Sequence, residues 1–513
     1  MDSGDRHQFP PSDGKPQTGA LRANAEAVQQ MAAAVAGTLG PKGLDTMLVD
    51  DKGHVIITND GVTILNKMEA NHPAARMIAN ISRAQQEEVG DGTTTATLLT
   101  AALVEEGEKQ VNKGVPVAKV IAGIRKGVQF ALERMQEMAN PIWDLEDEWL
   151  QRIAYTAGRE QEDITELVIE AAMMVGREKL LERHFRLSES VVAHPRAESN
   201  IFAGLLPSRG RVNRTRPSTE GSLRVLVIAD DLKPEPVVEG SLGTEAGFAK
   251  QEKLKQEFES TILFLVEQAI DLIVVQGEVD PHAEELLTDA ERMVIQQIEA
   301  REIARIAEHT GARAIKRTGL KKTGDELDGI LGVCEEVEDD ESLQRIRILG
   351  GQGKPVATIL VAAPTEELVD ERERITKDAA AALQAAIRGG FLPGGGASEL
   401  ALAREVEKYR DTVQGMEAFG VAAVAEALHR PMVQVVANAG FNPLEKVEEV
   451  KVLQLKRQSS SLGIDCDRGA VCDMVDMGVV DPLPVKYHAL QAAGEVSAAI
   501  LRIHTVVRMK KAD

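Results

Sequence analysis

Aromatic residues are scarce in this chain, at 3% of 513 residues, with only two Trp and three Tyr. Proteins that bind single-stranded nucleic acid stack bases on aromatic side chains, so this scarcity argues against such a partner. Basic residues are also outnumbered, with 59 Lys and Arg against 81 Asp and Glu and a net charge of −22. Duplex DNA and anionic membranes require clustered positive charge, and we therefore expect neither among the partners.

Cysteines and long apolar runs are few as well. The three cysteines, Cys334, Cys466 and Cys472, form an odd and sparse set without zinc-ligand spacing, which argues against a disulfide framework or a zinc site. No run approaches the ~18 apolar residues of a membrane span. Residues 1–20 are polar, contain several Pro and Gly, and lack the apolar segment of a secretory signal. We predict a disordered leader over residues 1–20 of a cytoplasmic protein.

The length, together with a hydrophobic content of 43%, predicts several globular domains. Both ends of the chain carry helical patterns, and "TMLVDDKGHVIITNDGVTIL" near the start predicts two short strands around a turn at residues 51–53. The middle has an α/β pattern, in which "LRVLVIAD" and "DLIVVQG" predict buried strands and "ERMVIQQIEAREIARIAEHTG" a covering helix. This order indicates an outer helical domain made from both ends, a hinge-like layer, and an inserted α/β domain.

The stretch "EVGDGTTTATLL" at residues 88–99 carries the strongest chemical signal. Glycines allow a ligand close to the backbone, and the first amides of a helix favour phosphate. The hydroxyls of Thr93, Thr94 and Thr95 add donors on the same turn, and Asp91 fits if a hard cation such as Mg²⁺ bridges it to phosphate. The alternative is an ordinary helix cap, which needs only one such residue. We favour phosphate binding.

Other polar glycine segments are weaker when each is taken alone. "TLGPKG" (38–43) and "TNDGVTIL" (58–65) are typical of plain turns, although Asp60 could be a second carboxylate that faces a cation. "LPGGGAS" (392–398) favours a hinge or a helix stop over backbone contact with ribose or phosphate. The helix over 370–383 could hold an acid that orients water, but its periodicity cannot choose which one. Asp481 precedes a proline and is a turn residue by default.

Several familiar sites are excluded. "GGQGKPV" lacks the spacing of a phosphate-binding P-loop, and no nucleophile elbow or histidine metal motif is present. We expect the acidic segment 335–341 to be a solvated loop, and the basic segment 209–216 to be too short to outweigh the net charge.

Taken together, seven segments resemble the chaperonin family in order and spacing over nearly the whole chain. They are "TLGPKGLDTMLVD", "ITNDGVTIL", "EVGDGTTTATLL", "PGGGASE", "ANAG", "DMGVVDP" and "EVSAAILRIHTVV". The resemblance is closer to the group II branch, the thermosome and its eukaryotic relatives, and the chain is similar to a divergent bacterial or archaeal member. It implies a multi-domain α and α/β subunit. The implied parts are an equatorial ATPase domain (1–141 and 394–513), an intermediate domain (142–205 and 359–393) and an apical substrate domain (206–358).

The resemblance also implies a function, which is an ATP-dependent chaperone that encloses non-native client proteins. Such subunits assemble with themselves into two stacked rings of about eight members each. A built-in lid, here expected at about 233–262 within a loop and long helix, replaces a separate co-chaperonin. An amphipathic helix packed on the α/β domain is the alternative for that segment.

Site residues follow from the resemblance where the motifs match. The implied cofactors are ATP and Mg²⁺, with Asp91 as the metal ligand and Asp60 and Asp378 as catalytic acids. The water-activating Asp378 is expected to arrive only on closure. The remaining implied nucleotide contacts are Thr38, Leu39, Gly40, Pro41, Gly92, Thr93, Thr94, Thr95, Gly158, Arg159, Gly395, Asp465, Cys466 and Asp481.

One departure concerns Arg159, which stands where group II members carry a nucleotide-sensing lysine, and Arg and Lys are not equivalent at phosphate. A competing function is a small-molecule kinase or phosphohydrolase that uses the same nucleotide site. It would need an acceptor pocket beside the terminal phosphate, and the sequence supplies no feature for one.

Overall fold

The computed structural model describes residues 16–51, 53, 55–70, 72–195, 197–213, 222–236, 245–321, 325–340 and 342–505. The chain divides into two compact units, and we call the one that holds residues up to Thr165 and from Asp378 onward the first unit. The second unit comprises Glu166–Lys377 and is inserted into the first. This division does not separate an intermediate domain, so the three-domain partition stays a prediction.

The described residues form eighteen α-helices, which are numbered here in chain order. They are α1 (Pro16–Ala36), α2 (Gly61–Lys67), α3 (Pro73–Val89), α4 (Thr93–Asn112), α5 (Val117–Met138), α6 (Glu148–Ala157), α7 (Glu162–Val175), α8 (Arg177–Leu181), α9 (Glu245–Glu267), α10 (Pro281–Asp289), α11 (Ala300–Thr310), α12 (Asp325–Asp328), α13 (Val369–Gly389), α14 (Ala397–Arg410), α15 (Glu417–Ala427), α16 (Arg430–Asn438), α17 (Pro443–Arg457) and α18 (Leu483–Arg502). Short 3₁₀ turns lie at Leu187–Ser190, Arg317–Lys321 and Glu366–Leu368.

The strands are shorter and form five sheets among the described residues. They are β1 (Thr46–Val49), β2 (Val55–Thr58), β3 (Val191–His194), β4 (Asn200–Leu205), β5 (Leu223–Ile228), β6 (Leu272–Val275), β7 (Met293–Ile295), β8 (Gly332–Cys334), β9 (Glu336–Asp340), β10 (Arg345–Leu349), β11 (Ala357–Ala362), β12 (Phe391–Pro393), β13 (Leu462–Ile464), β14 (Val471–Asp473) and β15 (Val480–Pro482). The pairs β1–β2, β12–β15 and β13–β14 are antiparallel, and the larger sheets run β3-β11-β4-β10-β9 and β7-β6-β5-β8.

The core of the first unit is helical, and α4 packs there against α1, α15 and α18. Most side chains of α4 up to Val104 are buried, whereas the charged residues of the helix follow after that point. Helices α5 and α15 approach backbone to backbone at two glycines. A β-carbon on Gly123 would lie 2.0 Å from the Glu417 carbonyl oxygen, and one on Gly420 would lie 2.2 Å from the Val120 carbonyl oxygen. Only glycine therefore fits at this crossing.

The second unit contains the predicted α/β layer. Strands β5, β6 and β7 are parallel, and β8 joins β5 in the antiparallel direction. Their side chains are almost all buried, which explains why the strands are continuous apolar runs in the sequence. Buried residues of α9 and α10, including Ile262, Leu265 and Leu287, pack in a cluster with Leu226 and Ile273 of the sheet.

Four local predictions were wrong in part. The helix predicted over 291–311 begins only at Ala300, because the buried residues of β7 pair with β6. The acidic segment 335–341 contains strand β9, in which Val337 is buried while its charged neighbours face outward. The end of "TNDGVTIL" is helix α2. Helix α1 begins at Pro16, inside the predicted leader, and residues 1–15 lie outside the described part of the chain.

Three other predictions can be compared directly. The hairpin β1–β2 and the helices on either side of Gly90–Gly92 are confirmed. The long helix expected in the lid segment is also confirmed as α9, while residues 237–244 lie outside the described residues. Within the described ranges, no helix has the length and apolar character needed to cross a membrane.

The glycine crossing of α5 and α15 leads to a stability prediction. Gly123→Leu should lower the free energy of unfolding of the first unit by about 3 kcal/mol or more, because the new side chain meets backbone. Both tryptophans, Trp143 and Trp149, lie in that unit, so urea denaturation followed by fluorescence reports it. Arg125→Leu, at an exposed position of the same helix, is the control and should change stability by less than about 0.5 kcal/mol. Equal effects of the two variants would contradict the close crossing.

Candidate nucleotide-binding site

The segment between α3 and α4 has the backbone shape expected of an anion site. Gly90 ends α3 with φ of 76°, and Gly92 begins α4 with φ of 78°. Both values lie in the left-handed region, where glycine carries no steric cost. The N-cap of α4 is Gly92, so no side chain caps the first turn. Asp91 is therefore not the cap of α4; its Oδ1 accepts a hydrogen bond from the Gly92 amide at 2.6 Å.

Three hydroxyls lie on this uncapped turn. Thr93 is buried, and Thr94 and Thr95 are half-buried. Within the described residues, none of the three hydroxyl groups forms a hydrogen bond with another protein group, whereas the Thr97 and Thr100 hydroxyls donate to the Thr93 and Ala96 carbonyls in the same helix. A helix start with this many uncommitted donors can bind an oxyanion.

Asp60 lies beside this turn but also has a structural role. It is the N-cap of α2, and its carboxylate accepts from the Thr63 amide at 2.8 Å and from the Thr63 hydroxyl at 2.6 Å. A β-carbon on the next residue, Gly61, would lie 2.7 Å from Thr94 Oγ1, so the start of α2 touches the start of α4. The structure thus brings Asp60 to the first turn of α4, as the sequence predicted, with part of its carboxylate used as a cap.

Asp378 and Gly158 approach the same place from two other helices. A β-carbon on Gly90 would lie 2.4 Å from Ala381 Cβ, one turn of α13 after Asp378. Residues three apart share a helix face, so Asp378 lies on the face of α13 that meets the loop before α4. Gly158, at the end of α6, would place a β-carbon 3.6 Å from Ala379 Cβ.

Arg159 follows in a backbone conformation that is uncommon for its residue type. Arg159 and Glu160 have φ of 54° and 60°, both in the left-handed region. Such conformations are unfavourable for residues with a β-carbon and tend to mark functional segments. The Arg159 guanidinium donates to the side-chain oxygen of Asn59, the residue before Asp60. The loop after α6 is therefore fixed next to the cap of α2.

The loop over residues 38–41 is held by α16 and by a hairpin. Asn438 donates from its side chain to the carbonyls of Ala36 and Leu39 at 2.9 and 2.8 Å. Gly40 has φ of 84° and lies against Val435. Lys42 pairs with Asp467 in the turn of the β13–β14 hairpin. Thr38, Leu39, Gly40 and Pro41 are therefore placed between α16 and that turn.

Asp465 and Cys466 begin the turn of this hairpin. The Asp465 carboxylate accepts from the Asp467 amide at 2.9 Å and from the Arg468 amide at 3.3 Å, so it stabilises the turn itself. Cys466 is half-buried, and burial raises the pKa of its thiol. Met474, next to β14, would lie 3.1 Å from a β-carbon on Gly395, which joins the hairpin to the glycine segment before α14.

Asp481 lies on β15 opposite Leu392 of β12. A β-carbon on Gly394 would lie 3.2 Å from Asp481 Oδ2, so this carboxylate borders the glycine segment. Gly395 and Gly396 have φ of 61° and 80°, and Gly396 is the N-cap of α14 without a side-chain cap. The segment is thus a helix start rather than a hinge within a helix.

Sequence reasoning missed three polar residues around these elements. The Gln85 side-chain amide donates to the Asp91 and Val485 carbonyls at 2.8 and 3.0 Å, which ties the loop before α4 to α18. Lys486 and Glu399 form a buried ion pair beside Asp481. The only sequence signal for them is a polar or charged residue within an otherwise apolar helical face.

Two further observations bound the chemistry of the site. Across the described ranges, no cluster of three or more His, Cys, Asp or Glu side chains could hold a metal ion by itself. The second unit contains a cavity of about 390 Å³ lined by residues that include Arg305, Glu373 and Thr358, and none of the predicted site residues lines it. The predicted site residues all lie in the first unit.

Comparison with known proteins decides the family. The model of the TCP-1/cpn60 chaperonin family matches residues 31–511. This chain belongs to the TCP-1/cpn60 chaperonin family. Its relatives include thermosome subunit 1 of Haloferax volcanii, 31% identical over 94% of this chain and 88% of the relative. Thermosome subunit beta of Archaeoglobus fulgidus is 32% identical over 96% of this chain and 92% of the relative.

A solved structure supports the same assignment. The crystal structure of a group III chaperonin in the open state matches with a TM-score of 0.82 and 43% sequence identity. The match covers 96% of this chain and 99% of that one. This chaperonin is therefore an ATP-dependent chaperone of the group II-like kind, an ATPase that binds nucleotide and client proteins and assembles into rings. The kinase alternative is not favoured.

The position of Cys466 leads to a footprinting prediction. Bound ATP should slow alkylation of Cys466 by iodoacetamide several-fold if adenine covers the β13–β14 turn, because thiol reactivity depends on access. Cys334 is an internal control, since burial raises the pKa of its thiol to about 12 and it should stay unmodified at pH 8 in either sample. Mass spectrometry of peptides measures both sites. Equal alkylation of Cys466 with and without ATP would contradict an adenine site at this turn.

Proposed function

We propose that the start of α4 holds the phosphates of Mg–ATP in this chaperonin. The observation that carries the proposal is an uncapped helix start with three uncommitted threonine hydroxyls next to Asp91. Backbone amides of residues 93–95 and these hydroxyls would bind phosphate oxygens, and the helix dipole would add to the attraction. Asp91 would hold Mg²⁺, which takes its other ligands from phosphates and water.

The roles of the other acids follow from their neighbours. Mg²⁺, when bound, would neutralise charge on the phosphates. Asp378, on the face of α13 that meets the loop at Gly90, would orient the attacking water as a general base. Asp60 is anchored by its cap bonds to α2, so its carboxylate would face the same phosphate end in a fixed position. The Arg159 guanidinium, which donates to Asn59, would sense whether phosphate is bound at this end of the nucleotide site.

The opposite end of the site would hold the nucleoside. Gly395 and Asp481 lie on neighbouring segments, and Met474 joins them to the hairpin that carries Asp465 and Cys466. We therefore assign the ribose to Asp481 and Gly395, and the adenine to the β13–β14 turn. Residues 38–41 would border the nucleotide from the side of α16.

Two substitutions test whether Asp378 acts as the base and Asp91 as the metal ligand. Asp378→Ala should keep ATP affinity within about three-fold while it lowers turnover by 10²-fold or more, because only the water loses its base. Asp91→Ala should instead weaken Mg-dependent ATP binding itself, by about ten-fold or more. Titration calorimetry gives affinity, and phosphate release gives turnover.

Asp370→Ala is the control for these variants, since Asp370 is an exposed acid on the same helix as Asp378. It should leave both quantities unchanged. Wild-type turnover in Asp378→Ala would refute the role of Asp378 as the base. Unchanged Mg–ATP affinity in Asp91→Ala would refute its role as the metal ligand.

Ring assembly would use the β1–β2 hairpin. This two-stranded sheet has no third strand among the described residues, and a hairpin alone is only marginally stable in water. On one face of the hairpin Met47 and Ile57 lie opposite each other, and each is 61% accessible. Exposed apolar surface of this kind marks a contact with another protein chain. We propose two stacked rings of about eight subunits, in which the hairpin contacts a neighbour.

The lid would be formed by α9 and the residues before it. Phe248 is 65% exposed near the start of α9, whereas Ile262 and Leu265 are fully buried near its end. One end of the helix is therefore packed on the sheet of the second unit, while the other presents an aromatic ring to solvent. A helix with a free apolar end is suited to close a chamber without a separate co-chaperonin. The proposed apical domain covers residues 206–358.

Electron microscopy with and without ATP tests assembly and the lid together, since it reads ring symmetry and closure in one experiment. Met47→Lys combined with Ile57→Lys should shift rings toward smaller species, because two buried charges at a contact are costly. Gln136→Lys combined with Gln151→Lys adds the same charge at exposed positions of the first unit and is the control. Intact rings in the hairpin variant would contradict the proposed contact.

A further inference from the structure

Lys486 is a charged residue in the interior of the first unit. Its side chain is 5% exposed, and its ammonium nitrogen lies 2.7 and 2.8 Å from the two oxygens of Glu399. The Glu399 side chain is 4% exposed. The same nitrogen lies 2.8 Å from Asp481 Oδ2. Lys486 is in the first turn of α18 and Glu399 in the first turn of α14, so the contact joins the starts of two helices.

A contribution to folding stability is not a sufficient reason for a buried Lys486–Glu399 pair. Removal of a lysine and a glutamate from water costs several kcal/mol, and apolar residues of similar size are often at least as stabilising. An ammonium group has three hydrogens, and the two oxygens of Glu399 and one of Asp481 account for all three. Lys486 therefore has no donor left for a ligand.

Asp481 is the member of this trio that reaches the surface. Its side chain is 39% exposed, while one of its two oxygens is fixed by Lys486. Within the described residues, no other hydrogen bond or ion pair is recorded for its carboxylate. The backbone around it is also fixed, because β15 pairs with β12 and Gly394 packs beside Oδ2. The result is a carboxylate with one anchored oxygen and one oxygen available to accept.

We propose that the buried Lys486–Glu399 pair positions Asp481 so that its second oxygen accepts hydrogen bonds from the ribose hydroxyls of the nucleotide. This inference rests on the proposed function, which assigns the ribose to Asp481. Lys486 and Glu399 are positioning residues that do not touch the nucleotide. Without Lys486, the Asp481 and Glu399 carboxylates would face each other and repel, and Asp481 would lose its anchored position.

The probes that test this inference are ATP and 2′,3′-dideoxy-ATP, which lacks both ribose hydroxyls. Their ratio of affinities isolates the ribose contact, whereas a general loss of stability weakens both nucleotides alike. In the full-length assembled protein, titration calorimetry should show about ten-fold tighter binding of ATP. Lys486→Met should reduce this ratio to nearly one.

Three further variants keep the test decisive. Lys486→Met combined with Glu399→Met removes the pair without an unpaired buried charge, so it should fold and should also bind both nucleotides equally. Glu407→Gln, at an exposed acid on the same helix as Glu399, is the matched control, because Lys486, Glu399 and Asp481 all remain, and its ratio should stay within about three-fold of wild type. Addition of Asp481→Ala to Lys486→Met should cause no further loss of the ratio, since both act on one contact.

The outcomes separate this inference from the proposed site. Failure of wild type to bind ATP would overturn both. Equal binding of the two nucleotides by wild type would overturn the ribose role of Asp481, and this inference with it. A wild-type preference that persists in the double Lys486→Met and Glu399→Met variant would overturn the positioning role alone. A preference lost in that variant and kept in Glu407→Gln would establish it.

Discussion

The first turn of α4 has no side-chain cap, and the other residues of the candidate site lie around this uncapped turn. A helix that begins with Ser, Asp or Asn satisfies its own free amides, and it then has less to offer an anion. Here the N-cap is Gly92, and the residues that could have capped the turn are placed elsewhere. Asp91 accepts a hydrogen bond from the Gly92 amide, and Asp60 caps a different helix, α2. Neither carboxylate is the N-cap of α4.

Close packing at glycine brings the remaining groups to this turn. Gly90 admits α13 at Ala381, Gly61 admits the start of α2 at Thr94, and Gly158 admits α13 at Ala379. Each contact sets an acid or an arginine one to three residues away from the point of approach. Because the positions are fixed by backbone contacts, larger side chains at these glycines would displace functional groups that they never touch.

The predictability of the site depended on how local each signal was. The two glycines before α4 and the three threonines of its first turn are neighbours in the chain, so their pattern predicted the turn, and the anion site rests on the same residues. Asp465 was harder, because a carboxylate that closes a hairpin turn has the same sequence appearance as one that faces a ligand. Lys486 and Glu399 are 87 residues apart, and only the meeting of α14 and α18 makes them partners. The three-domain partition stays a prediction.

The secondary structure was also predictable only where its signal is local in the chain. Long helices and the apolar strands β5 and β6 were predicted because their periodicity is internal to each segment. Strands β7 and β9 were missed because their identity comes from pairing, β7 with β6 and β9 with β10. In β9, a single buried valine among acids was too weak a signal to outweigh the apparent polarity of a loop.

Helix α13 has a mechanical consequence. It runs unbroken from Val369 to Gly389, with no proline and with glycine only at its last position. At 1.5 Å per residue it is a rod about 30 Å long, with Asp378 near its midpoint. With no break along its length, α13 has no joint to absorb a twist. A twist of the helix would therefore turn the Asp378 carboxylate together with both helix ends, and its orientation becomes a property of one stiff element.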